Sequence, residues 1–368
     1  MNPSRVPLRL LASLALLALL AGCDKNPTRV TTPAPSAHDY YVDAAAGLDA
    51  NLGTAVSPFK TITHAVAVAG AGKSIAIAPG TYDAGNGETF PIVLQAGQSL
   101  VGDVANRGNG TASTRVRGLG STPGLSGAYS TIVAAEGASI RGLRIGAPGL
   151  YNHWAIYARN ASVTLTDNTL DSLTFAGVYL TGTGTSLVSD NVFNCSGYGA
   201  YLQTTLDTAI VEDNDFRVPN LPVTVAGQGS RAIVRANRIA ARGQLGIQVS
   251  SGVVWIEDNV FDNPGGYAIR GAIYCGNPDA MPFVRGNSFT CALGICVDEG
   301  LPDLGSAGSP GNNLFTGVTG AAVQHAGSGA ITAIGNTWRN TPPTPGADIV
   351  VTGTGSVRWG TDAANIYP

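Results

Sequence analysis

One asparagine recurs at a nearly fixed interval through the second half of the chain, at Asn168, Asn191, Asn214, Asn237, Asn259, Asn287, Asn313 and Asn336, with steps of 23, 23, 23, 22, 28, 26 and 23 residues. Two positions after each stands a large apolar residue: Leu170, Phe193, Phe216, Ile239, Phe261, Phe289, Phe315 and Trp338. Three positions before the first six stand Leu165, Val188, Val211, Val234, Ile256 and Val284. Between these markers run short β-rich stretches punctuated by glycine, with no helical period. A unit this short cannot bury its own apolar face, so successive units must stack and share one interior.

The repeat therefore predicts an all-β solenoid, a parallel β-helix in which each strand pairs with its equivalent one coil away, about 4.8 Å distant. Asparagine at every coil fits a turn between two strands, with its side-chain amide bonding the coils above and below, and the +2 column fills the interior. Before the repeats, Ile62, Ala65, Val66 and Ala69 fall at helical spacing within residues 58–71, predicting an amphipathic helix that covers the first coil's open edge. At the other end, Pro342, Pro343 and Pro345 precede a Val-rich stretch expected to close the solenoid. The expected organisation is a cap with first coils over 38–135, regular coils over 136–340 and a C-terminal cap over 341–368.

Reading down columns separates scaffold from candidate site. Two residues before the asparagine stand Glu212, Arg235, Glu257 and Arg285, and Asp215 faces Arg238 in the next coil, so opposite charges alternate as a register-keeping ladder. Immediately before it, Asp167, Asp190, Asp213 and Asp258 read as turn residues, interrupted by Ala236. In the strand after the turn, Gly177-Val178-Tyr179-Leu180, Gly199-Ala200-Tyr201-Leu202 and Gly246-Ile247-Gln248-Val249 alternate, which turns the third residue outward. That outward column is expected to run Tyr157, Tyr179, Tyr201, Thr224, Gln248, Arg270, Cys296. Its tyrosines, with His153, Trp154 and Tyr198 nearby, form a strip on which sugar rings could stack, or a ladder that only stabilises the sheet.

The repeats resemble those of the pectin lyase-like right-handed parallel β-helix superfamily. The segment Tyr41-Val42-Asp43 with Gly47-Leu48-Asp49-Ala50-Asn51, then Ser57-Pro58-Phe59-Lys60-Thr61-Ile62 and Ile75-Ala76-Ile77-Ala78-Pro79-Gly80-Thr81-Tyr82, is similar to the opening of a bacterial domain of unknown function that introduces such helices. The superfamily resemblance implies a right-handed helix whose outward strand lines a polysaccharide cleft, and enzymes of that superfamily cleave acidic polysaccharides as lyases or hydrolases. At the N-terminus, Arg5 and Arg9 precede an apolar run from Leu10 to Leu20 that ends in Leu20-Ala21-Gly22-Cys23. The ending resembles the lipobox of bacterial lipoproteins. It implies a signal peptide over 1–22, lipid attachment and a membrane anchor at Cys23, a Pro- and Thr-rich tether over 23–37, and an extracytoplasmic location.

An extracytoplasmic location permits disulfides, and Cys275, Cys291 and Cys296 are close enough in sequence for one bridge among them to be expected. Only 12% of residues are charged and the formal net charge is -3, which leaves no basic surface for nucleic acid. The long coils place extra residues in Gly271 to Pro282 and Asp298 to Gly311, expected as two loops beside Arg270 that carry Asp279, Asp298, Glu299 and Asp303. A lyase would use Arg270, Asp298 and Glu299, with Ca2+ on Asp279, Asp298 and Asp303. There is no lysine after Lys73 to act as a base, and neither Asp-Asp nor Gly-His-Gly occurs. The sequence accordingly favours binding of a polysaccharide or cell-envelope glycan through Tyr157, Tyr179, Tyr201, Trp154, His153 and Gln248, with no cofactor required. The alternative is a calcium-assisted polysaccharide lyase, followed by a glycoside hydrolase and by a structural surface protein without a ligand.

Overall fold

The structure, a computed structural model, describes residues 38–146, 152–171, 176–204, 207–218, 220–240, 243 and 245–368. The expected signal peptide, tether and lipidated Cys23 lie outside the described residues. The chain is a right-handed parallel β-helix of about 11 turns, with coils of about 24 residues. Among the described residues three sheets of 10, 10 and 12 strands form its walls, here the first, second and third in the order in which a coil visits them, and a three-stranded sheet of Ala330–Thr332, Ser356–Arg358 and Ile366–Tyr367 carries on the first wall at the C-terminal end. One coil shows the path: Ser186–Ser189 in the first wall, the Asp190-Asn191 turn, Val192–Asn194 in the second wall, and Tyr198–Thr204 in the third.

The asparagine column is the corner between the first and second walls. From Asn191 to Asn336 each asparagine's side-chain oxygen accepts from the backbone N–H and the side-chain amide of the one a coil earlier, and that of Asn168 accepts from the Leu143 N–H. The amide also reaches a first-wall carbonyl, as from Asn214 to Val188 at 2.9 Å. The residue before it must be left-handed: φ is 55° at Asp167, 57° at Asp190, 55° at Asp213, 53° at Ala236 and 54° at Asp258. Asp, Asn and Gly tolerate that conformation, which accounts for the aspartate column as turn chemistry.

Behind the corner the +2 residues are buried and stack through the interior, with ring centroids 4.5 Å apart for Phe193–Phe216, 4.9 Å for Phe261–Phe289 and 5.2 Å for Phe315–Trp338. Facing them is the glycine that opens third-wall strands: a Cβ on Gly199 would lie 2.3 Å from the Pro222 carbonyl oxygen and 2.7 Å from the Phe216 ring. The recurring glycine is thus a consequence of the aromatic column.

The helix Ile62–Ala69 packs on the strands Tyr40–Val42, Ser74–Ile77 and Ile92–Val93, burying Ile62, Ala65, Val66 and Ala69. Thr61 caps it by accepting from the His64 N–H. The buried Glu88 carboxylate accepts from the N–H groups of Ile62 at 2.6 Å and Thr63 at 2.9 Å, so donors that the helix leaves unpaired are satisfied from the next coil. Burial pushes the Glu88 carboxyl above its usual range while these hydrogen bonds oppose the shift. At the other end Ile349–Val351 is the last third-wall strand, and Ile366–Tyr367 folds back antiparallel on Ser356–Arg358.

Two expectations are corrected. Among the described residues no disulfide forms: Cys195, Cys275, Cys291 and Cys296 are all buried and unbridged. Cys275 turns into the interior, Cys296 opposes Tyr274 in the outward column, and Cys291 belongs to the second wall. The charge ladder is only partly as read. Arg235 pairs with Glu212 at 2.6 Å and Arg238 with Asp262 at 2.6 Å and Asp215 at 3.4 Å, but Arg285 turns to Asp303 at 2.8 Å.

Candidate functional site on the outer face of the third wall

The third-wall register fixes the outward column as Tyr157, Tyr179, Tyr201, Thr224, Gln248, Tyr274, Cys296 and Gln324. Tyr274 stands where Arg270 was expected. The long coil inserts its extra residues mainly before the strand Ile273–Cys275, so Arg270 rides on the connection leading into that strand, and 271–282 contains third- and first-wall strands rather than a projecting loop. Arg270 still belongs to the site, its guanidinium carbon lying 4.9 Å from the centre of the Tyr274 ring.

At the N-terminal end of the column a second row alongside holds Trp154, Ala176, Tyr198 and Leu221. The rings interlock, with centroids 4.4 Å apart for Trp154–Tyr179, 5.2 Å for Tyr179–Tyr201 and 5.4 Å for Tyr198–Tyr201. Edge contacts of this kind contribute about 0.5 to 1.5 kcal/mol each beyond burial. Leu125 and Ala128, from a turn closed by the Thr122 N–H to Ala128 carbonyl bond, pack over the first rung. Trp154 and Tyr157 are therefore only 6% and 2% exposed, which corrects the expectation of three open tyrosines. The open strip is Tyr179, Tyr201 and Tyr198, each half-buried.

His153 is also buried rather than presented. Its Nε2 lies 3.1 Å from the Thr131 hydroxyl, and burial pushes its pKa down to about 4, so the ring is neutral scaffold. Along the open strip the Tyr179 hydroxyl donates to Gln203 Oε1 at 2.6 Å, and the Gln248 amide donates to the Ser250 hydroxyl at 3.2 Å. The strip runs into a depression of about 400 Å³ lined by Gly197, Tyr198, Asn220, Leu221, Leu245, Gln248 and Arg270. Beyond it the Tyr274 hydroxyl donates to Asp298 at 2.6 Å. Burial and then the Asp298 carboxylate push the Tyr274 pKa up to about 12, so this phenol stays protonated near neutral pH and serves as a donor rather than a base.

The acidic residues do not assemble. Asp298 reaches Tyr274, whereas Asp303 is tied to Arg285 at the first wall, Asp279 lines a separate depression with Arg231, and Glu299 is exposed. No group of three His, Cys, Asp or Glu side chains that could hold a metal ion occurs among the described residues, so the expected Ca2+ set of Asp279, Asp298 and Asp303 is not brought together. The divergence is geometric, because Asp298 leaves a third-wall strand whereas Asp303 bridges the first-wall residues Phe283 and Thr332. Sequence reading missed Tyr274, Asn220, Leu221 and Leu245. Tyr274 was within reach, since Ile273-Tyr274-Cys275 repeats the in-out-in pattern of Val178-Tyr179-Leu180.

Among the described residues no helix is long and apolar enough to cross a membrane. Among solved structures the chain is similar to the native GH136 lacto-N-biosidase from Eubacterium ramulus, with a TM-score of 0.50 and 11% identity over 87% of this chain and 67% of that one. Its selenomethionine derivative gives 0.49 and 10% over the same shares, and XylC in complex with xylose gives 0.42 and 11% over 82% and 69%. At these identities the likeness is one of fold. No curated protein matches the chain. A family model described as "Protein of unknown function (DUF1565)" covers residues 45–345, most of the solenoid, and the chain belongs to that family.

Proposed function

We propose that the protein binds a glycan along the outer face of the third wall, from the tyrosine strip into the depression beside Arg270. The observation that carries this reading is the continuity of the two: half-buried rings of Tyr179, Tyr201 and Tyr198 lead directly into a pocket walled by Asn220, Gln248 and Arg270. Sugar rings present an apolar face and a rim of hydroxyls. Aromatic edges followed by amides and a guanidinium match both. A β-helix of similar fold that is named a lacto-N-biosidase is consistent with a carbohydrate ligand. Tyr157, Trp154 and His153 support the site from beneath rather than touching ligand.

Binding is favoured over catalysis because the acidic residues named for a lyase or hydrolase are dispersed. Tyr274 is held protonated, and a guanidinium is not a base near neutral pH. The test is a glycan array on the protein followed by incubation with any hit and absorbance reading for an unsaturated product. Binding without product supports the proposal. Product formation that vanishes in Arg270→Ala identifies a lyase instead.

The same reading places the protein at an extracytoplasmic membrane surface, held by lipid on Cys23, on the strength of the Leu20-Ala21-Gly22-Cys23 ending. Metabolic palmitate labelling tests this. Cys23→Ala abolishes the label if Cys23 is the anchor, and unchanged labelling refutes it.

A further inference from the structure

The outer face of the first wall carries an apolar stripe that the glycan site does not use. Leu187, Ile210, Ile233, Trp255 and Phe283 occupy the same outward register on five successive strands. None is buried: Phe283 is 37% exposed, and its ring stacks on Trp255 with centroids 5.8 Å apart. Polar residues are what a solvated solenoid wall ordinarily shows outward, and a contiguous row of this size marks a surface that meets another.

Two residues further along the last four of these strands stands the column Glu212, Arg235, Glu257 and Arg285, with Ser189 on the first. Its signs run minus, plus, minus, plus, and the order inverts to plus, minus, plus, minus when read backwards. From this we infer that the first wall is the self-association surface of the protein, and that its occupant is a second copy of this chain related by a two-fold axis parallel to the strands. Such an axis, lying between the Arg235 and Glu257 rungs, keeps position along the strand and reverses the order of coils. Ile233 then faces Trp255 of the second copy, Ile210 faces Phe283, Arg235 faces Glu257 and Glu212 faces Arg285. Every charge in the column meets its opposite, and four of the five stripe residues meet one another, Leu187 falling opposite Asp303 on the rung after Phe283. The intrachain pairs Glu212–Arg235 and Arg285–Asp303 leave these groups part-exposed at the surface, where a second partner can join each. On the other flank Thr208, Arg231, Val253 and Met281 carry one charge in four rungs, so inversion brings no like charges together there.

The face lies on a different wall from the proposed glycan site, and the inference does not rest on that reading. It is tested by sedimentation velocity over a concentration series on the full chain, with Cys23→Ala in every variant so that no lipid contributes to association. The expected result is a monomer–dimer equilibrium that Trp255→Glu weakens at least tenfold while the variant still melts cooperatively, with only the small loss of the Phe283 stack. Glu212 and Arg285 sit three rungs apart within one chain, roughly 14 Å at the strand spacing, so they couple strongly only across the interface. Glu212→Arg should weaken the dimer about tenfold, and adding Arg285→Glu should restore it to within about threefold. A monomer at every concentration overturns the inference, as does a dimer indifferent to Trp255→Glu, or one lost on removing residues 1–37 but not on these substitutions.

Discussion

The side-chain oxygen of Asn214 accepts two hydrogen bonds from Asn191, one from the backbone N–H at 2.9 Å and one from the side-chain amide at 3.1 Å. The Asn214 amide in turn donates to the carbonyls of Val188 at 2.9 Å and Glu212 at 2.8 Å and to the Asn237 side chain at 3.0 Å. One residue therefore satisfies buried polar groups in three coils.

Replacing it with leucine leaves the Asn191 N–H and at least one carbonyl unpaired in the interior, at about 1 to 3 kcal/mol for each such group. Asn214→Leu is expected to destabilise the protein by about 3 kcal/mol or more in chemical denaturation. Asn336→Leu, at the half-exposed end of the column, should cost about 1 kcal/mol because water can take over its partners. Equal costs at the two positions would show that the ladder is not a major source of stability.

Ala236 sits at φ 53° in the turn column, where its neighbours are Asp, Asn or Gly. A Cβ in the left-handed region costs roughly 1 to 2 kcal/mol, partly offset by the greater freedom of an unfolded glycine. Ala236→Gly is expected to stabilise the protein by about 0.5 to 1 kcal/mol, read as a higher denaturation midpoint. A lower midpoint would mean that the turn carries no strain at this coil.

Burial holds the pKa of His153 near 4, against an ordinary value of 6.5. Between those values the unfolded chain binds a proton that the folded protein does not, so stability falls as pH drops from about 6.5 to about 4. The contribution approaches roughly 3 kcal/mol at the acid end. His153→Gln should keep a partner for Thr131 and remove this part of the pH dependence. Retention of the full acid sensitivity in the variant would place its origin elsewhere.

The scaffold was legible in the sequence because every coil repeats the same physical problem. A left-handed residue, a buried amide and an aromatic two positions later recur wherever the first wall turns into the second, and Ile62, Ala65, Val66 and Ala69 marked the capping helix by spacing alone. The site was less legible because it lies where the repeat is broken. The insertion before Ile273 shifted the outward column, so Arg270 took the place of Tyr274 in the sequence reading. Cover over Trp154 and Tyr157 comes from Leu125 and Ala128, on a turn outside the asparagine repeat. The acidic residues after Cys296 are close in sequence, but their backbone leads to two different walls.

The central claim is that the open tyrosine strip and the depression beside it hold a glycan, and it is tested most directly by titrating the strongest array hit into wild-type protein and Tyr198→Ala by isothermal calorimetry. Tyr198 reaches both the aromatic row and the pocket, and a lost stacking partner worth about 1 kcal/mol or more corresponds to a weakening of roughly fivefold to tenfold. The account predicts that loss with no more than a small drop in melting temperature, because one edge contact with Tyr201 goes with the ring. Unchanged affinity together with a lower melting temperature would contradict it and make the strip a stabilising ladder of the third wall.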